Sequence, residues 1–220
     1  MHITARLSMV ERYLRSHVRD PRILEAMEQL PRHLFVDPAL QSRAYHNDAL
    51  PIGFGQTISQ PLMVARMTEQ LQVEQHHCVL EIGTGSGYQA AILAALCREV
   101  FTVERLEPLA MEARERFEQL GIPNIHTAIA DGTVNAFAEL TFDRILITAG
   151  GNRHPSSLLR QLIVGGILIA PIGTDKHQTL YRYIRTAANH WQRTPIGDCH
   201  FVKLIGEEGW QDQEKEEVVL

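Results

Sequence analysis

The sequence predicts a doubly wound α/β domain, and three observations predict it. Short runs of Val, Ile and Leu recur between helix-like stretches from residue 78 to residue 173. These runs are continuous, the pattern of strands buried on both faces of a parallel sheet. The first of them ends in a glycine-rich turn, "EIGTGSGYQAA", at the edge where such sheets hold their ligands.

Residues 8–30 place Met9, Val10, Tyr13, Leu14, then Ile23, Leu24, Met27 and Leu30 at helical spacing, broken near "RDPR". A helical N-terminal segment follows from that pattern. Pro31 and Pro38 bracket "RHLFVD", and residues 44–60 show little periodicity and many turn formers. Pro61 suits the first turn of a helix reaching about Leu71, since its φ is preset and its missing N–H is not needed there. "CVLEIG" (78–83) predicts the first core strand and Tyr88–Leu96 a helix. "EVFTVER" (99–105) predicts the second strand, with a helix from about Pro108 to Leu120. "IHTAIAD" (125–131) and "FDRILITAG" (142–150) predict the third and fourth strands. "HPSSLLRQL" predicts a helix and "GGILIAPIG" (165–173) a fifth strand. "TLYRYIRTA" and "DCHFVKLI" lie close together and are expected to end the sheet as an antiparallel hairpin. The acidic end, "QDQEKEEVVL", reads as a frayed terminus. With no repeat or linker, the chain reads as one domain: a helical and loop segment at 1–75, a core at 76–175, and C-terminal strands and tail at 176–220.

Composition narrows the function classes. A length of 220 residues suits one domain with a real core. A hydrophobic fraction of 45% and a charged fraction of 21% are those of an ordinary globular protein, which sets disorder aside. The net charge of -5, with Lys and Arg scattered, leaves no basic excess for nucleic acid. No apolar run reaches the roughly 20 residues needed to span a bilayer, and the charged start "MHITARLSMVERYLRSHVRD" lacks a signal-peptide core. Cys78, Cys97 and Cys199 are odd in number and far apart, which fits buried thiols in a reducing, cytoplasmic compartment. His76, His77 and Cys78 are adjacent at the entry to a strand, where successive side chains point to opposite faces. No metal site is expected from them or from any other His or Cys spacing.

The glycine turn carries the first candidate site. Gly83, Gly85 and Gly87 let the backbone turn tightly, with Thr84 and Ser86 between them, ahead of the next helix. The spacing is G-x-G-x-G; Tyr88 occupies the position where a dinucleotide fingerprint needs glycine. Glu81 precedes the turn, Glu104 ends the second strand, and Asp131 with Gly132 ends the third. A carboxylate at the second strand end accepts hydrogen bonds from both hydroxyls of a ribose, and Asp131 suits an adenine amino group. Together these acids resemble the pattern of S-adenosylmethionine-dependent methyltransferases. The cofactor's sulfonium and ammonium favour acids at the rim over a pyrophosphate cradle.

"LPIGFGQTISQPLMVARMTEQL" (50–71) and "VLEIGTGSGYQAAILA" (79–94) together closely resemble the protein-L-isoaspartate O-methyltransferase family. The likeness runs through "PRHLFVDPALQSRAYHNDALPIG", "DGTVNAFAELTFDRILITAG" and "LLRQLIVGGILIAPIG", with an echo in "HFVKLIGEEGW". It implies a Rossmann-like methyltransferase sheet and transfer of a methyl group to the misplaced α-carboxylate of L-isoaspartyl residues in damaged proteins. The ester then closes to a succinimide that partly hydrolyses to normal aspartate. The resemblance also implies that Ser59 is the active-site serine and that Thr57, Ile58 and Gln60 shape the substrate pocket. A carboxylate is already ionised near neutral pH, so Ser59 is expected to orient it without acting as a covalent nucleophile. The competing role for Ser59 is to cap the helix at Pro61. Isoaspartyl proteins and peptides are the implied partners, and a monomer is expected.

Two departures stand out. The fourth strand continues into "TAGGNRHP" where the family has a small apolar run, and Lys203 replaces a usual proline after "FV". Both lie where the family grips its peptide. They leave open a relative acting on another carboxylate or a small molecule. A cofactor-binding module without transferase activity is a third reading, which the complete Thr57–Gln60 loop disfavours.

Overall fold

The computed structural model describes residues 2–134, 136–137 and 139–212. The frayed terminus expected at the acidic end therefore falls, from residue 213 on, outside the described residues. The chain opens with helix α1 (His2–Met9), which runs on through one wider π turn (Val10–Leu14), and then α2 (Pro21–Gln29). Asp20 caps α2 by accepting a hydrogen bond from Arg22 N at 2.9 Å. Two 3₁₀ segments follow, Arg32–Phe35 and Pro38–Arg43. Residues 44–60, unpatterned in sequence, hold an antiparallel hairpin of β1 (Leu50–Gly53) and β2 (Gln56–Ile58). Gly53, Phe54 and Gly55 all take positive φ at its tip. Helix α3 spans Pro61–Leu71, as the sequence predicts.

The core alternates as expected: β3 (Cys78–Ile82), α4 (Tyr88–Ala94), β4 (Glu99–Glu104), α5 (Glu107–Gln119), β5 (Ile125–Ile129), β6 (Phe142–Ile147), α6 (Ser156–Gln161) and β7 (Leu162–Gly173). β8 (Gln178–Ala187) and β9 (His190–Cys199) complete a seven-stranded sheet of order β5-β4-β3-β6-β7-β8-β9. β3 to β7 run parallel, while β8 and β9 are antiparallel. This is a Rossmann-like sheet. Alternate strand residues feed two separate cores. Val79, Val100 and Leu146 join the cluster that contains Met27, Val64 and Ile92. Leu80, Val103 and Ile145 join the one that contains Leu158 of α6. Burial on both faces explains why these strands read as unbroken apolar runs.

The terminal hairpin needs one correction. Its second strand is His190–Cys199; "DCHFVKLI" supplies only Asp198 and Cys199 before leaving the sheet. β9 pairs with β8 alone and is mostly exposed, so it needs no apolar run and tolerates Pro195, as edge strands do. The apolar residues of "FVKLI" serve another purpose. They run beside residues 150–151, with Leu204 N donating to Gly150 O at 2.9 Å and Gly150 N to Val202 O at 2.7 Å.

Candidate active site

Strand register assembles the site. Ile82 pairs with Val103 on one side and with Ile147 on the other, so Gly83, Glu104 and Thr148 leave the sheet side by side. The strand order reverses at β3, the place where α/β sheets open a ligand crevice. Gly83 has φ +95°, and a Cβ there would lie 2.5 Å from Thr148 Oγ1. Gly87 has φ +88°, and a Cβ would meet the Phe117 ring at 2.7 Å. A side chain at either position would be strained and would push the turn away from its support.

Glu104 is 8% exposed, and its carboxylate is held at both ends. Oε2 accepts from Gly85 N at 2.9 Å and Oε1 from Leu106 N at 3.0 Å. Glu104, Gly83, Gly85 and Gly132 line a cleft of about 620 Å³, walled on the far side by Val202, Lys203, Leu204 and Ile205. A second compartment of about 410 Å³ lies beside it, lined by Thr57, Ile58, Ser59, Thr84, Ser86 and Tyr88 among others. The compartments share Thr57, Gly83, Gly85 and Thr148. Among the described residues, no Asp, Glu, Lys or Arg side chain lines the second one, whereas Glu104, Arg105 and Lys203 line the first.

Two of the acids expected at the cofactor, Glu81 and Asp131, are engaged by other protein groups. Glu81 is fully buried; Thr102 Oγ1 donates to its Oε2 at 2.5 Å, and Thr84 Oγ1 lies 2.7 Å from that hydroxyl. Burial pushes its pKa up to about 8, against the hydrogen bond from Thr102. Glu81 thus braces the turn from beneath. Asp131 turns to the C-terminal segment: it accepts from Glu207 N at 2.7 Å, from Thr133 N at 2.8 Å and from Thr133 Oγ1 at 2.7 Å. Burial works to raise its pKa, but these bonds and Arg105 outweigh it and hold the carboxyl below its usual range. Gly132, beside it, does face the cleft.

In the 57–60 loop, Thr57 is exposed, Ile58 is 4% exposed, and Ser59 and Gln60 are half-buried. The capping role proposed for Ser59 is filled differently. Gln60 is the N-cap residue and makes no side-chain bond. Asn47 Oδ1, from the preceding loop, accepts from Leu62 N at 2.9 Å. Ser59 O receives a hydrogen bond from Arg32 Nη2 at 2.8 Å. Sequence reasoning missed Asn47, Arg32 and Thr148. No local pattern marks a lone Asn in a turn or a lone Arg after a proline.

The loop "GGNRH" is welded down. His154 Nδ1 lies 2.7 Å from Tyr183 Oη, and its Nε2 2.9 Å from Arg193. Asn152 Nδ2 donates to Gly209 O at 3.2 Å. Lys203 sits 3.5 Å from Asp175 and 5.3 Å above the Trp210 ring. Among the described residues, no group of three or more His, Cys, Asp or Glu is placed to hold a metal ion.

A sheet that reverses at β3, a glycine turn and an acid closing the next strand are the marks of a Rossmann-like nucleotide-binding site, and the family comparison narrows that class to the methyltransferases. The family model for protein-L-isoaspartate(D-aspartate) O-methyltransferase matches residues 6–209, and the chain belongs to that family. A protein-L-isoaspartate O-methyltransferase from Magnetococcus marinus is 50% identical over 194 residues, 88% of this chain and 85% of its own. One from Geobacter metallireducens is 48% identical over 211 residues, 96% of this chain and 98% of its own. Among solved structures, a Plasmodium falciparum protein assigned to the same activity, in complex with S-adenosyl-L-homocysteine, shares the fold. It aligns with a TM-score of 0.78 at 24% identity, over 93% of this chain and 98% of that one.

Proposed function

We propose that the chain moves a methyl group from S-adenosylmethionine to the free α-carboxylate of L-isoaspartyl residues, the first step in repairing damaged proteins. One observation carries the division of labour: the acceptor loop and the glycine turn line adjoining compartments, and among the described residues only the cofactor side contains charged side chains. The cofactor fits the larger compartment. Glu104 offers a fixed carboxylate there to a ribose diol, and the bare Cα of Gly83 allows close approach. When bound, S-adenosylmethionine supplies a methyl group on a sulfonium sulfur, an electrophile for a carboxylate oxygen.

The chain's own residues then orient and exclude. Thr57, which lines both compartments, and Ser59, which lines the second, offer neutral hydroxyls, while the Thr148 hydroxyl is held by the Ile82 and Gly83 carbonyls. A neutral pocket leaves the acceptor carboxylate reactive, where a Lys or Arg would over-stabilise its charge. No strong base is needed, since the carboxylate is ionised well below neutral pH. Ser59 holds it for in-line attack, with Thr57, Ile58 and Gln60 shaping the approach. Glu81 and Asp131 serve the cofactor side through the turn and the C-terminal wall. The substrates are isoaspartyl proteins and peptides. The chain acts as a single domain and a monomer in the cytoplasm; no helix among the described residues is long and apolar enough to cross a membrane. The test is methyl transfer from labelled cofactor to matched isoaspartyl and aspartyl peptides. Label on the isoaspartyl peptide alone is expected; equal label on both would refute the reading.

A further inference from the structure

Arg32 is 0% exposed, and among the described residues no carboxylate pairs with it. Burial pulls its pKa down to about 10, so it remains charged at neutral pH. An unpaired buried guanidinium is expensive, and a well-packed apolar side chain in such a place is often neutral or stabilising. What the charge does instead is make three attachments. Nε donates to Ala44 O at 2.8 Å, Nη2 donates to Ser59 O at 2.8 Å, and Cζ stands 4.8 Å from the centroid of the Tyr88 ring. Ala44 closes the segment before the β1–β2 hairpin, Ser59 is the acceptor loop itself, and Tyr88 opens α4 directly after Gly87. Ser59 and Tyr88 line the same compartment.

We infer that Arg32 is a positioning residue, which holds the acceptor loop in register with the glycine turn through the Ser59 carbonyl and the Tyr88 ring. It acts from behind the pocket and touches no reacting atom. The planar fork matters, because its donors leave at fixed angles and reach two carbonyls at once; an ammonium cannot hold both and the ring in one geometry. The inference rests on the proposed role of Ser59, where a shift of about 1 Å can cost on the order of a hundredfold in rate.

Arg32→Met and Arg32→Lys test it through three readouts. With Arg32→Met, the urea midpoint is expected to hold or rise, since the uncompensated charge is gone. S-adenosylhomocysteine affinity by calorimetry should stay within about twofold, and kcat on an isoaspartyl peptide should fall roughly ten- to a hundredfold. Amide exchange across residues 50–60 should accelerate while β3 stays protected. Arg32→Lys should fall between the two in kcat. A kcat near wild type in either variant overturns the inference. So does a loss of cofactor affinity that parallels kcat, which would make Arg32 a scaffold for the whole cleft. Should Arg32→Met fail to fold, Arg32→Lys decides by the same criteria. A wild-type protein inactive on isoaspartyl peptides would refute the substrate reading alone, because unchanged exchange at 50–60 would still be needed to refute this one.

Discussion

At Ser59 the capping and substrate roles lead to opposite outcomes on substitution. Because Asn47 caps the first turn of α3, Ser59→Ala should leave unfolding free energy within about 0.5 kcal/mol, the usual range for a side chain outside the core and caps. It should still lower kcat/KM roughly ten- to a thousandfold, the scale of one well-placed hydrogen bond in a transition state. Ser59→Cys should not restore the rate, since nucleophilicity is irrelevant to an orienting group. Single-turnover methylation of an isoaspartyl peptide decides it; wild-type speed in Ser59→Ala would remove Ser59 from the chemistry. At Glu104 the expected loss is in binding. Glu104→Ala removes both the proposed diol acceptor and the clamp on Gly85 N, and should weaken S-adenosylhomocysteine by about 1–3 kcal/mol in calorimetry. The places of Ser59 and Glu104 in the two compartments were legible because each belongs to a local motif: a hydroxyl-rich loop, and an acid at the end of an apolar strand. Arg32 and Asn47 were not, because their bonds reach across 27 and 15 residues and leave no periodic trace.

The parallel strands were readable from their apolar runs, and α3 from its proline, because burial on both faces and a fixed φ each impose a local pattern. The β1–β2 hairpin escaped notice. It is short, and the alternation of its few residues is broken by the bulge between Pro51 and Gly53. β9 escaped because an exposed edge strand has no apolar requirement. The same error hid the role of residues 201–210, whose apolar pattern belongs to a cleft wall. That wall hangs on Asp131, through Glu207 N and through Thr133, whose Oγ1 accepts from Glu208 N at 3.0 Å. Trp210 Nε1 adds a bond to Gly150 O at 2.8 Å. Asp131→Ala should therefore speed amide exchange across 202–210 while leaving β3 and β6 protected. S-adenosylhomocysteine should bind more weakly as the wall loosens. Unchanged exchange in that segment would show that Trp210 and the Gly150 pairing hold it without Asp131.

The stability of the whole molecule carries the signature of one buried acid. Glu81 is fully buried, its Oε1 has no hydrogen-bond partner among the described residues, and its pKa rises from 4.5 to about 8. Between those values the unfolded chain releases this proton and the folded protein keeps it. The unfolded state then binds fewer protons, so the stability contributed by Glu81 falls as pH rises from about 4.5 to 8 and levels off above. Other groups slope the opposite way. Burial depresses His33, His77 and His154, so each favours the folded state as pH rises through the unfolded histidine value. Asp131, held low by its hydrogen bonds, adds stability that is lost in acid as pH falls through its folded value. The raw profile of the wild type therefore mixes signs, and only a difference isolates Glu81. Glu81→Gln keeps the shape and an acceptor for Thr102 but cannot ionise. Its stability relative to wild type should be lowest near pH 4.5 and should climb by on the order of 2–4 kcal/mol by pH 8. Each pH unit crossed between the unfolded and folded titrations of Glu81 contributes about 1.4 kcal/mol, and relaxation around the buried charge reduces the total. Urea unfolding of both proteins at half-unit pH intervals measures that curve. A difference that stays flat from pH 4.5 to 8 would mean that Glu81 ionises in the folded protein as it does in the unfolded chain.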